Sequence, residues 1–333
     1  MKNYLRVIFK PLRLAKSICS DPNKFRYWLH KKIGAEFIPK VPNFPPMIFL
    51  ETTTRCNLKC YTCPREKLIK EGHFEIGDMD LNFYKQCIDE IANYPGVVLR
   101  PFNDGEPLLH PQIIEMIKYA KKKKVYVWMN TNGLLLEETK ARAFIEAGLD
   151  VLEVSIDAVN EETYKHTRPG GDYNRVVENV RRYVELKKIN KSSVKIVVSF
   201  VETTGNFADV AKFKKLWEGY VDRVFIRPFH QIDRCLNDMK ARDYKFKRRY
   251  PCPQLWRRFI VNHDGKVKFC VQDCRNQGII GDRKKQTIKE IWQNRPYKEI
   301  RQLHIQGNFS EILPCRDCND YFQWTWFGQH NEN

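Results

Sequence analysis

Cys56-Asn57-Leu58-Lys59-Cys60-Tyr61-Thr62-Cys63 follows directly on an apolar run, residues 47–53, that reads as a β-strand. Three thiols spaced C-x3-C-x2-C therefore sit on one loop at the carboxyl end of a first strand. A structural zinc site takes four ligands, usually from paired C-x2-C units. Three thiolates on a single loop instead suit a [4Fe–4S] cluster with three irons held and the fourth open to another ligand. The 333-residue chain has no apolar run of about 18 residues and does not open as a secretory signal does. Its clustered cysteines thus read as metal ligands in a reducing, cytoplasmic setting, with disulfides disfavoured.

Beyond this loop, apolar strands and amphipathic helices alternate. Strands are predicted at 96–102, 125–131, 150–156, 193–201 and 222–229, and helices at 80–94, 110–122, 136–147, 173–190 and 206–219. Strict alternation implies a parallel sheet with right-handed crossovers. With the first strand, six units make an α/β fold of partial (β/α)6 TIM-like barrel type, its chemistry at the carboxyl ends of the strands. Those ends carry Asp104-Gly105-Glu106-Pro107, Thr131-Asn132-Gly133 and Ser155-Ile156-Asp157, followed by Arg168 in a Thr-Arg-Pro-Gly-Gly loop. Singly these would be a surface carboxylate, strand-to-helix caps and an ion-pair partner. Successive strand ends give them joint weight.

Together with the cysteine loop, this order resembles the radical S-adenosylmethionine (SAM) superfamily over roughly residues 47–230. The resemblance implies that Cys56, Cys60 and Cys63 hold the cluster, and that Gly105 and Glu106 face the SAM amino group. It implies that Thr131 and Asn132 lie near the ribose, and Ser155, Asp157 and Arg168 near the SAM carboxylate. An ammonium needs acceptors and negative charge, and a carboxylate suits the planar guanidinium fork. Two departures stand out. Asp104 takes the place of the family's first glycine, and Thr62 that of a residue often aromatic or apolar.

A second cysteine group comprises Cys252, Cys270 and Cys315-x2-Cys318, with a hairpin signal at Asn262–Val267 and a short helix carrying Ile291-Trp292. Four thiolates by themselves also allow a zinc ribbon. The segment resembles the SPASM/twitch extension of radical SAM enzymes. With no cysteine beyond Cys318, that resemblance implies the shortened version, one auxiliary [4Fe–4S] cluster on Cys252, Cys270, Cys315 and Cys318. Cys274 is expected to be idle, and Cys19, Cys87 and Cys235 to be ordinary buried or half-buried thiols. The expected organisation is a basic helical extension over 1–45, the barrel over 46–230, a linker over 231–250, the cysteine-rich module over 251–325 and a frayed tail over 326–333.

In such enzymes an electron from the reduced cluster cleaves SAM to methionine and a 5′-deoxyadenosyl radical, which abstracts hydrogen from a substrate C–H bond. Relatives with auxiliary clusters oxidise alcohols or thiols, passing the substrate electron to that cluster, while others cross-link or epimerise peptides. The 45-residue leader is shorter than the leader-binding domains of many peptide modifiers. The single-cluster pattern of the C-terminal module is closest to the oxidising relatives, so the favoured expectation is an oxidoreductase acting on a small or sugar-like molecule. A peptide maturase or epimerase is the alternative, and RNA modification or a non-catalytic metal scaffold stands further off. Glu51, Asn130, Arg227 and His230 are polar residues near strand ends, with His230 the candidate base for a proton step.

The net charge of +18 comes from 58 Lys+Arg against 40 Asp+Glu. Such excess suits docking of an acidic flavodoxin or ferredoxin that delivers the electron. Nucleic acid is disfavoured, since no RNA-binding module is recognisable. Ten Lys/Arg fall in the first 40 residues, opposed by Asp21 and Glu36. Asp21 and Pro22 are predicted to start a helix whose apolar face, Phe25, Trp28, Leu29 and Ile33, packs on the main domain, with peripheral membrane docking as the sharper reading.

Overall fold

The computed structural model describes residues 21–33, 36–229, 249–316, 318, 324–326 and 328–329. The six predicted strands form as β1 Met47–Leu50, β2 Val98–Arg100, β3 Tyr126–Thr131, β4 Val151–Ser155, β5 Lys195–Glu202 and β6 Arg223–Pro228. They pair in parallel, each beside the next. Their Val/Ile/Leu content fits strands buried on both faces; Leu152, Val154 and Val198 are fully buried. The connecting helices cover the outer face. Asp80, Asn160 and Asp172 cap three of them by accepting the backbone N–H groups of Phe83, Thr163 and Arg175. Two short helices escaped the periodicity reading, α2 at Arg65–Lys70 and α6 at Glu161–Thr167. Six or seven residues give too few turns for a 3.6-residue pattern to show.

The sheet does not close. Its order is β6-β5-β4-β3-β2-β1-β7-β8-β9. β7, Arg258–Val261, joins the free edge of β1 in parallel, and β8, Lys266–Lys268, turns back on it as the predicted hairpin. β9, Ile279–Asp282, continues the antiparallel run. Gly265 makes the turn at φ +95°, where a side chain would be strained. The cysteine-bearing segment thus extends the barrel sheet directly, which carries its residues toward the barrel mouth.

Two expectations are corrected. The N-terminal helix forms at Pro22–Ile33 (α1), with Asp21 accepting the Asn23 N–H at 2.9 Å. Its buried side chains among those described, however, are Asn23 and Tyr27, while Trp28 and Leu29 are half-buried, Phe25 is 46% exposed and the Ile33 side chain lies outside those described. Tyr27 is held by rings of Phe37 and Tyr250, at centroid distances of 5.2 and 5.4 Å, and this contact chooses the face. Nor does residue 326 belong to a frayed end. Trp326 is 1% exposed, packed edge-on to Phe37 and Trp256, and its carbonyl accepts from Arg257 at 2.7 Å.

Candidate active site

The cysteine loop leaves the end of β1 and is fixed from both sides. Lys59 N donates to Pro169 O and Tyr61 N to Thr167 O, tying it to the α6 loop. Glu106 N donates to Arg55 O at 2.8 Å, tying it to the end of β2. Gly105 is required by this approach, since a Cβ there would lie 2.1 Å from Thr53 O. The three thiols are half-buried. Burial raises the pKa of Cys56 and Cys60 and pushes Cys63 up to about 12. Groups that favour thiolate face them: the amides of Leu58 and Arg65 on Cys56 and Cys63, and the Arg168 guanidinium 3.7 Å from the Cys60 sulfur. Half-buried thiols faced by amide and guanidinium donors suit the thiolate ligation of an iron–sulfur cluster.

Glu106 gathers the next residues. Its Oε1 accepts from Thr131 Oγ1 at 2.7 Å and Leu108 N at 3.1 Å, and its Oε2 from Asn132 N at 2.7 Å. Asn132 Nδ2 in turn donates to Asn57 Oδ1 inside the cysteine loop at 2.8 Å. Gly133, at φ +79°, lets the chain turn against Val154. Glu106 is 3% exposed, and burial raises its pKa, the nearby Arg168 lowering it less. A buried carboxylate bonded here only by the neutral donors of Thr131, Leu108 and Asn132 fits the ammonium of SAM. Arg168 is committed to Asp157, with Nε and NH2 3.1 and 2.5 Å from Oδ2. Burial would lower its pKa, but Asp157, Cys60 and Tyr164 together outweigh that and raise it. Asp157 sits at φ 59° and also accepts Val201 N at 2.7 Å. It therefore positions Arg168 over Cys60. Ser155 Oγ lies 3.2 Å from Ser199 Oγ, a partner that no motif signalled.

Asp104, the departure from the family glycine, is explained by a residue 164 positions away. Lys268, on β8 and 1% exposed, places Nζ 2.9 Å from Asp104 Oδ2 and 3.1 Å from Asp273 O. Burial would discharge Lys268, but Asp104 and then Glu51 hold the ammonium charged. Burial raises the Asp104 pKa to about 6 against the pull of Lys268. Asn103 bridges Asp104 to Glu51, and His263 donates its N–H to Glu51 Oε2 at 3.1 Å. Asn130 and Arg227 belong to another network. Arg227 and Arg100 flank the fully buried Glu153, Trp128 Nε1 donates to it, and Asn130 accepts from Arg100. His230 lies outside the described residues, as do Cys19 and Cys235.

In the C-terminal segment, Cys270 has its pKa raised well above the usual value by burial and by Cys315, Cys318 and Cys252 together. The four cysteines are thus mutual neighbours. Bringing four thiols together away from water is costly unless cations bind them, and all-sulfur ligation suits iron–sulfur. His304, which sequence reasoning missed, spans two of the four: its Nδ1 accepts Cys252 N at 3.3 Å and its Nε2 lies 3.3 Å from Cys315 Sγ. Cys274 stands apart, buried against Leu68 and Phe74.

With the strand-end site and both thiol groups in view, comparison with known proteins is decisive for the class. Residues 50–214 match the Radical SAM superfamily model, and residues 252–319 match SPASM, an iron–sulfur cluster-binding domain. The chain belongs to the radical SAM superfamily and carries a SPASM domain, which implies a SAM-binding [4Fe–4S] cluster, auxiliary cluster binding and SAM. It is 24% identical over 316 residues to the PqqA peptide cyclase of Gluconobacter oxydans, covering 84% of each chain. It is 28% identical over 173 residues to a tungsten-containing aldehyde ferredoxin oxidoreductase cofactor-modifying protein of Pyrococcus furiosus, covering 50% of this chain. The matches span 47% and 46% of the length of the first curated relatives. Among solved structures, BtrN in complex with AdoMet and 2-DOIA is 18% identical, with TM-score 0.56 over 83% of this chain and 94% of that one. SuiB of Streptococcus suis bound to precursor peptide SuiA is 13% identical, with TM-score 0.61 over 84% and 70%. These structural likenesses bear on the fold.

Proposed function

We propose that the protein is a radical SAM/SPASM enzyme that modifies a peptide. The match to PqqA peptide cyclase carries this reading, because it covers 84% of each chain, more than the barrel alone spans. We place it ahead of the small-molecule oxidation favoured on sequence grounds, which rested on the single-cluster pattern of the C-terminal module and on leader length. When bound, the cluster on the Cys56 loop supplies one electron to cleave SAM. The chain's own residues do the rest. Glu106 binds the SAM ammonium, held in orientation by Thr131 and Asn132. Arg168, aimed by Asp157, and Ser155 meet the SAM carboxylate. Gly105 lets the loop close on Thr53, and the buried walls exclude water from the reacting carbon. The +18 charge supports an acidic flavodoxin or ferredoxin as electron donor.

The second reading, oxidation of a sugar-like molecule, is supported by the 94% coverage of BtrN, seen with 2-DOIA. One assay separates the two. The reconstituted enzyme, SAM and dithionite are given the peptide or the small-molecule fraction of source cells grown in D2O, and deuterium in 5′-deoxyadenosine is measured. Transfer from the peptide fraction is expected. Transfer from the small-molecule fraction alone reverses the order, and no 5′-deoxyadenosine from either overturns the enzymatic reading.

A further inference from the structure

The outward face of α1 has no counterpart in the barrel chemistry. Along a helix of 3.6 residues per turn, Phe25, Trp28, Leu29 and Lys32 lie opposite Asn23, Tyr27 and His30. The inner set is anchored. Asn23 exchanges two hydrogen bonds with the Lys40 backbone at 2.8 and 2.6 Å, and Tyr27 and His30 meet Tyr250 edge-on. The outer set is less buried: Lys32 is exposed, Trp28 and Leu29 are half-buried, and Phe25 is 46% exposed and stacks on Trp28 at 6.2 Å. Ile38 and Val41, in the segment that runs back beside α1, are also exposed, at 44% and 38%. Arg26 ties this segment to the helix through Ile38 O at 3.1 Å. Phe25, Ile38 and Val41 with the half-buried Trp28 leave an apolar patch beside α1 that a partner surface can cover.

Charge identifies that surface. Lys24, Arg26, Lys31 and Lys32 share α1 with the aromatic pair, and the twenty residues before it add five Lys/Arg and no Asp or Glu. Aromatic and leucine side chains flanked by lysine and arginine are the composition of a helix lying in the plane of a bilayer interface. Each basic residue near an anionic leaflet adds to the attraction. Among the described residues no helix is long and apolar enough to cross a membrane. We propose that α1 docks the protein on an anionic lipid surface, through Phe25 and Trp28 with the surrounding basic residues. The partner is a phospholipid bilayer, held by shallow insertion and charge, and the docking is independent of which substrate the barrel takes.

The test is flotation of the full-length reconstituted enzyme with phosphatidylcholine vesicles, with and without phosphatidylglycerol. The protein should float with the anionic vesicles only, less so as salt rises. Phe25→Ser/Trp28→Ser should weaken association about tenfold or more, while 5′-deoxyadenosine formation without vesicles stays unchanged. Lys32→Glu, at an exposed position, should weaken it in the same direction and covers the case in which the double variant folds poorly. Absence of flotation at low salt overturns the proposal. So does equal flotation of the double variant and Lys32→Glu with wild type, and so does stronger retention by an RNA oligonucleotide than by the vesicles.

Discussion

Lys268→Met removes the buried cation that reaches from β8 to Asp104. The side chain is 1% exposed and Asp104 18%, so this is a buried pair, and deleting one partner strands the other. Breaking such pairs costs about 3–5 kcal/mol. Here the carboxylate has an escape. Burial already lifts the Asp104 pKa to about 6, and without Lys268 it rises further. Asp104 then binds a proton in the native state that the unfolded chain, at the ordinary carboxylate pKa, does not. Native protons in excess of unfolded ones mean that stability falls as pH rises. The deficit of Lys268→Met should therefore be largest at pH 8, about 3 kcal/mol, and shrink toward pH 6. Asp104→Gly restores the family glycine and removes the stranded charge. Added to Lys268→Met, it should recover about 2 kcal/mol, well outside additivity. The assay is anaerobic urea unfolding at pH 8 and 6, followed by far-UV circular dichroism. A single variant costing under about 1 kcal/mol, or a double variant whose loss is the sum of the two single ones, would refute this account of Asp104.

Other expectations follow from the same geometry. Burial would raise the Glu153 pKa, but Arg227 and Arg100 hold it at about 2. Its contribution is present above the unfolded carboxylate pKa and lost as pH falls toward 2, so Glu153→Gln should flatten acid unfolding between about pH 4.5 and 2. Glu106→Gln should weaken SAM binding about 10- to 100-fold in equilibrium dialysis, with cluster content unchanged. His304 Nδ1 accepts Cys252 N–H, which leaves the ring proton on Nε2 facing Cys315 Sγ. Removing that donor with His304→Phe should lower the potential of the C-terminal cluster and leave the Cys56-loop cluster unmoved in an EPR redox titration. Iron content should be about eight per chain and fall to about four when Cys56, Cys60 and Cys63 become alanine.

Local spacing wrote much of this protein into its sequence. The C-x3-C-x2-C loop after an apolar run, each element of the β-α alternation and the Gly-Glu-Pro segment are read from short stretches, and they imply the radical SAM class and the partial barrel. Side-chain periods and ligand spacings are short-range properties, so they survive without the rest of the fold. The Asn262–Val267 hairpin was legible for the same reason.

What the tertiary structure decided are pairings between distant segments. Asp104 read as a deviation until Lys268, 164 residues on, met it across β7 and β8. Asn130 and Arg227 read as strand-end polar groups, whereas Glu153 and Arg100 draw them into one buried network. His304 carried no motif, and becomes notable only where Cys252 and Cys315 converge on its ring. For α1, periodicity located the apolar face and pointed it inward, but Tyr27 between Phe37 and Tyr250 turned it out. The physical reason is common to all. A charge or a ring takes its meaning from the partner that desolvates it, and chain folding supplies that partner at sequence separations no local pattern spans.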